Sequence, residues 1–217
     1  MIRYGVLLLS MLGLSADSVT LGLAQYLDVR NAPVLVFSGT ISSGAGGEYV
    51  EVLGRECRSS GERLISATQT VGGGSWRVEN PDSRTFPPRL SPVYSGMTFR
   101  ARWHGKYSRP VAWRMPAAPQ VARVGRTRTW VVHLTPATPT GQVGFQGKVV
   151  ELQRQSGSRW VRIRAAQLVR KASFRWGAFN YEARFRIPTR GLTLRAHLPA
   201  KTAAPCFLPG SSPTWRS

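Results

Sequence analysis

Residues 148–164, KVVELQRQSGSRWVRIR, place the tightest constraint on what this chain can fold into. Val149, Glu151 and Gln153 alternate with Val150, Leu152 and Arg154. Further on, Trp160, Arg162 and Arg164 alternate with Val161, Ile163 and Ala165. Successive side chains of an extended backbone point to opposite faces, so each arm reads as a strand with one buried and one wet face. Gln155-Ser156-Gly157-Ser158 has turn chemistry, because glycine accepts positive φ and serine hydrogen-bonds locally. On this reading Val150, Leu152, Val161 and Ile163 supply core. A weaker copy of the unit occupies residues 48–68, EYVEVLGRECRSSGERLISAT.

The copy belongs to a longer repeat. Residues 191–198, GLTLRAHL, align with residues 96–103, GMTFRARW, at an offset of 95. Residues 147–152 align with residues 47–52 at an offset of 100. Two matches at nearly one offset imply a duplication of domain size, and 217 residues hold two domains of about 100. The run Met115-Pro-Ala-Ala-Pro119 is the natural break between them. It is short enough to restrict their relative orientations. The expected domains are residues 33–116 and 117–217, after a linker at 25–32.

Outside the N-terminus no stretch sustains a helical apolar period, and 22 Gly with 15 Pro punctuate short apolar runs. Each module then holds about seven short strands, so the expected class is all-β, two tandem immunoglobulin-like β-sandwiches. Residues 80–92 contain Pro81, Pro87, Pro88 and Pro92 and read as irregular. Residues 107–115 read as the closing strand of the first module. In the second, residues 172–176 read as a strand and residues 136–144 as a loop.

The first residues have the form of a secretory signal at 1–24. Arg3 precedes an apolar run from Tyr4 to Ala16, interrupted by Asp17. Small residues favour cleavage after Gly22-Leu23-Ala24, with Leu14-Ser15-Ala16 as the alternative. The run is shorter than the about 20 apolar residues of a membrane span, so a cleaved signal is expected over a retained anchor. No cysteine stands near either site for a lipid anchor, and no stable membrane span is expected in the mature chain.

Formal charge is +20, and Lys106, Lys148, Lys171 and Lys201 are the only lysines. Such a balance favours polyanions as partners; arginine-rich outer faces also keep β proteins soluble and their sheet edges apart. The arginines interleave with apolar residues: Arg100 and Arg102 around Ala101, Arg162 and Arg164 around Ile163, Arg184 and Arg186 around Phe185, and Arg195 between Leu194 and Ala196. In a sandwich the aromatics then enter the core and the guanidinium groups line the outer face. Arg162, Arg164 and Arg195 can share one face if their strands are neighbours, forming a patch able to grip phosphate or carboxylate.

Catalytic constellations are sparse. His104, His133 and His197 are scattered, with no second ligand at metal-binding spacing. Glu48, Glu51 and Glu56 share no strand face, which disfavours a two-carboxylate hydrolase. No serine sits in a nucleophile elbow, and Gly72-Gly73-Gly74 lacks the Lys-Ser/Thr of a phosphate loop. No cofactor, metal or small-molecule substrate is expected.

The run Gly147-Lys-Val-Val-Glu-Leu-Gln-Arg154, followed by Trp160-Val-Arg-Ile163, resembles a signature of bacterial secreted immunoglobulin-like (fibronectin-III-like) repeats of actinobacterial envelope proteins. Ser38-Gly-Thr-Ile-Ser42, Glu56-Cys57 and Pro205-Cys206-Phe-Leu208 are similar to paired-domain members. The resemblance spans nearly all of the mature chain and implies a fold more than an activity. With an oxidising compartment, it implies a disulfide between Cys57 and Cys206; two buried, unpaired thiols are the alternative. It also implies a secreted or cell-surface structural or adhesive module without catalysis. Cell-wall or other anionic polymers, nucleic acid and other surface proteins are the partner classes, with Arg100, Arg102, Arg162, Arg164, Arg184, Arg186 and Arg195 as candidate polyanion contacts.

Overall fold

Period-two apolar patterning becomes strand after strand in the computed structural model, which describes residues 18–27, 33–80, 93, 95–134, 144–172 and 179–217. The chain divides into two units, Met1–Val93 with Met97–Trp113, and Tyr94–Gly96 with Arg114–Ser217. Each is all-β and sandwich-type, and every pairing between named strands is antiparallel.

In the first unit β1 (Gly22–Leu27), β2 (Pro33–Thr40), β3 (Tyr49–Arg55), β4 (Glu62–Gln69), β5 (Ser75–Asn80), β6 (Thr98–Trp103), β7 (Lys106–Tyr107) and β8 (Val111–Ala112) follow in order. One sheet runs β1-β2-β5; the other runs β4-β3-β6-β7, with β8 also on β6. The continuous apolar run Val34-Leu35-Val36-Phe37 is buried throughout, as suits the central strand of its sheet. The two sheets meet at Phe37 and Phe99, whose rings pack edge to face at 4.9 Å.

In the second unit β9 (Gln120–Arg123), β10 (Thr129–Leu134), β11 (Val149–Ser156), β12 (Arg159–Gln167), β13 (Val169–Ala172), β14 (Phe179–Arg186), β15 (Thr193–Leu198), α1 (Ala200–Ala203), β16 (Gly210–Ser211) and β17 (Trp215–Arg216) follow. One sheet runs β13-β14-β10-β9, the other β12-β11-β15-β16, with β17 also on β15. Phe145 fills the space between them, 4.6 Å from the Phe207 ring and 5.9 Å from Tyr181.

The repeat read in the sequence is a repeat of register. β3 lies between β4 and β6 as β11 lies between β12 and β15. Val52 faces Ala101 and Leu152 faces Ala196, at equivalent places. The hairpin pairing shifts by one residue between Val52 and Leu53, and again between Leu152 and Gln153. β6 and β15 alternate identically, burying Phe99, Ala101 and Trp103 in one and Leu194, Ala196 and Leu198 in the other.

Three expectations change. Val161 is 42% exposed and Ile163 only half-buried: β12 is the edge of its sheet, and a bulge in β12 itself, where the pairing skips Ile163, breaks the alternation on which their burial was read. The linker expected at 25–32 is strand through Leu27, because Gln25 and Tyr26 pair with Leu35 and Val34. The closing strand at 107–115 is two short strands, since Ser108 donates to Ala101 O while Pro110 has no N–H to offer. The polar C-terminus forms β16 and β17, pairing with β15. The irregular run at 81–92, the loop at 136–143, the strand at 173–176 and residues 1–17 lie outside the described residues.

Cys57 and Cys206 are disulfide-bonded, as the resemblance implied. The bond closes a loop of about 150 residues, for which restriction of the unfolded chain is worth roughly 2–5 kcal/mol. Reducing the protein should lower its unfolding free energy by that amount in urea, relative to oxidised protein. Leu152 is fully buried, and Leu152→Ala should cost about 2–5 kcal/mol in the same assay.

Candidate anion-binding site

The arginines picked out by alternation fall on outer faces, and most are already engaged. In the first unit Arg100 donates from Nε and Nη2 to Glu62 Oε2 at 2.9 and 2.6 Å and lies 4.1 Å from the Tyr107 ring centre. Arg102 donates to Glu51, a bond that holds its guanidinium charge more firmly, helped by Tyr107. In the second unit Arg184 lies 3.9 Å from Glu182. Arg164 and Arg186 are exposed and form no ion pair among the described residues.

Arg162 and Arg195 do share a face. Both lie across from Gln153, one on each neighbouring strand. Arg195 donates to Gln153 Oε1 at 2.8 Å and stacks 4.3 Å above the Trp160 ring. Gln153 donates to Glu151 Oε2 at 2.9 Å, and Arg162 reaches Glu151 Oε1 at 3.5 Å. Arg164 sits apart, opposite buried Leu152 beyond the bulge. Burial lowers the Arg195 affinity for its proton. This face is a closed network of charge and amide, with its one carboxylate already inside it.

A second cationic group forms where the β9–β10 hairpin meets the connection into β15. Arg123, Arg128, Arg190 and Trp130 line a cleft of about 300 Å³, with Ile187, Thr189 and Ser217 completing the wall. The sequence builds it locally. Thr127 turns the hairpin, donating from Oγ1 to Val124 O at 2.7 Å and accepting from Thr129 N at 3.1 Å. That turn puts Arg123 and Arg128 at the ends of adjacent strands. Ile187 N donates to Arg128 O at 2.9 Å and brings Arg190 alongside.

Two of the three guanidinium groups are anchored by main chain. Arg123 Nε donates to Thr127 O at 2.7 Å, and Arg128 Nη1 to Pro188 O at 2.9 Å. Arg123 also lies 5.9 Å from the Trp130 ring centre, and Trp130 packs on Trp215 at 5.5 Å. Among the described residues no acidic side chain lines the cleft. Guanidinium groups held by neutral carbonyls keep their charge and have N–H groups to spare beyond those bonds. That is the donor set for phosphate, sulfate or carboxylate.

Alternation could not reveal this cleft, because its residues come from strand ends and turns. A cruder signal could. Residues 114–217 hold 18 Lys and Arg against two carboxylates, Glu151 and Glu182, and so carry +16 of the +20. Glu151 belongs to the network just described; Glu182 faces His133 at 3.4 Å and Arg184.

Among the described residues no three His, Cys, Asp or Glu side chains converge as for a metal, and no helix is long and apolar enough to cross a membrane. No protein-family model matches the chain, and no curated protein matches it.

His197 borders the Arg195 network. Its Nδ1 lies 2.9 Å from Ser211 Oγ, and it pairs across the sheet with Glu151. Burial, then the charge of Arg195, depress its pKa, against opposing pulls from Glu151 and the Gly210 backbone. The unfolded chain therefore takes up this proton at higher pH than the folded one. The stability present above the ordinary histidine value is lost as pH falls through the folded pKa. Chemical denaturation of the protein and of His197→Gln between pH 7.5 and about pH 5 should show a steeper loss in the parent; parallel curves would refute the assignment.

Proposed function

We propose that this chain is an exported, non-catalytic binding module of the bacterial cell envelope, attached to an anionic polymer through its second unit. The observation that carries the reading is the cleft of Arg123, Arg128 and Arg190, three guanidinium groups with no acidic side chain among the described lining residues, in a half of the chain that has only Glu151 and Glu182 as acidic residues. Export is supported by the apolar leader with its basic residue and by the disulfide, which persists in oxidising compartments. Two sandwich-type units with one shared register agree with the immunoglobulin-like reading and with a scaffold that presents loops and sheet faces.

An anionic wall polymer or acidic polysaccharide suits the cleft better than base-specific recognition of nucleic acid. The described aromatics of the alternating strands β6 and β14 are core, as at Phe99, Trp103, Tyr181 and Phe185, and Trp130 is the one aromatic among the described lining residues of the cleft, so no row of stacking platforms stands there for bases. A purely structural spacer is the second reading. The first unit favours it, with Arg100 and Arg102 already neutralised by Glu62 and Glu51.

Binding to immobilised heparin and to polyphosphate across a salt series separates the readings. Counterion release makes log K fall by about 0.7–0.9 per neutralised phosphate per decade of salt. The triple variant Arg123→Gln, Arg128→Gln, Arg190→Gln should lower that slope by about two to three. A charge-matched control, Arg154→Gln, Arg159→Gln, Arg164→Gln on the edge hairpin, should weaken binding less. Equal losses from the two triples would reduce the cleft to a share of general charge and leave the spacer reading.

A further inference from the structure

The geometry points to a processing site at Leu14-Ser15-Ala16, with the leader cut off after Ala16 and residues 18–27 kept as part of the mature first unit. This rests on the export reading above and goes beyond it by choosing between the two cleavage sites that the sequence offers. Small residues at both recognition positions favour Gly22-Leu23-Ala24; the fold opposes it.

The segment from Ser18 onward is built into the first unit. Ser18 N donates to Ser42 Oγ at 2.8 Å, and Ser42 N to Ser18 O at 2.9 Å. Val19 is 5% exposed and bridges Ile41. Thr20 N donates to Thr40 O at 2.9 Å, and Thr40 N returns a bond to Thr20 Oγ1 at 2.8 Å. From Gly22 to Leu27 every residue of β1 pairs with β2. Two side chains from distant strands close on this segment: Trp113 Nε1 donates to Gln25 Oε1 and Tyr26 Oη donates to Glu79 Oε2, both at 3.0 Å.

Position 39 carries the mark of the same segment. A Cβ added to Gly39 would stand 2.0 Å from Thr20 O and 2.7 Å from the Trp76 ring. The residue without a side chain is the one that lets residue 20 approach.

Cleavage after Ala24 would cut β1 in its middle. It would take Val19 out of the core and remove the β1 residues that pair with Val36, Phe37 and Ser38 on one side of β2. Such groups, left without partners, cost stability and offer a free edge to other chains. Cleavage after Ala16 avoids both. It places a small residue at the cut and removes 16 residues, within the about 15–30 of a secretory leader. Water adds across the Ala16–Asp17 peptide bond under the host signal peptidase, leaving a carboxylate on Ala16 and a new amino group on Asp17.

The test is to express the full 217-residue chain in a secreting bacterium, fractionate the cells, and read the N-terminus by sequencing and intact mass. An exported chain beginning at Asp17 supports the site. An exported chain with any other start, Gln25 above all, overturns it and leaves export standing. A chain retained with Met1 overturns both. In a second measurement, a chain begun at Gln25 should unfold at lower urea than one begun at Asp17; equal midpoints would also refute a structural role for residues 18–24.

Discussion

The pairing of one small residue with one apolar residue, Ala101 with Val52 and Ala196 with Leu152, organises each half of this protein. All four side chains are wholly buried. Because strand side chains alternate strictly, that pair decides the face of every other residue in its sheet, and a slip of one residue would send the whole apolar set to solvent. Phe99 and Trp103 enter the core because they stand two residues either side of Ala101. Arg100 and Arg102 stay outside for the same reason. The bulges after Val52 and Leu152 recur at the same step, so the duplication preserved a backbone irregularity along with the pattern.

Shared geometry then carries divergent chemistry. The position opposite Glu51 is Arg102; the position opposite Glu151 is His197. Leu53 faces Arg100, whereas Gln153 faces Arg195 and bonds to it. In the first unit the outer arginines find carboxylates. Exposed pairs of this kind add about 0–1 kcal/mol each, so they matter more for neutralising the face than for holding the fold. In the second unit the carboxylates are nearly gone, and the excess positive charge collects where strand ends and turns meet.

The hairpins, the repeat and the core of β6 and β15 were legible because they depend on a local period. Val150, Leu152, Leu194 and Ala196 were readable from alternation alone. Val161 and Ile163 were not, though they alternate just as well, because burial also requires a neighbour above the strand, and β12 is an edge. Gln25 and Tyr26 looked like connector because they directly follow the favoured cleavage site after Ala24; their partners are main-chain groups of β2 and distant side chains such as Glu79 and Trp113. Of the candidate contacts, Arg162 and Arg195 were rightly placed on one face. The Arg123–Arg128–Arg190 cleft stayed hidden, since nothing in a strand pattern marks residues that meet only when a hairpin turn and a connection 60 residues later close together.

By itself the sequence determined the class of structure, the two-fold internal repeat, which residues of the inner strands point inward, and an excess of positive charge. Those are consequences of side-chain alternation and composition, which need no knowledge of what lies across from a strand. Tertiary structure decided the rest: which arginines are neutralised, which converge with no acidic side chain beside them among the described residues, and which partners hold residues 18–27. Each of these depends on residues far apart in sequence, as with Ser18 and Ser42, Thr20 and Gly39, or Arg128 and Pro188, and only the folded backbone brings their groups within bonding distance.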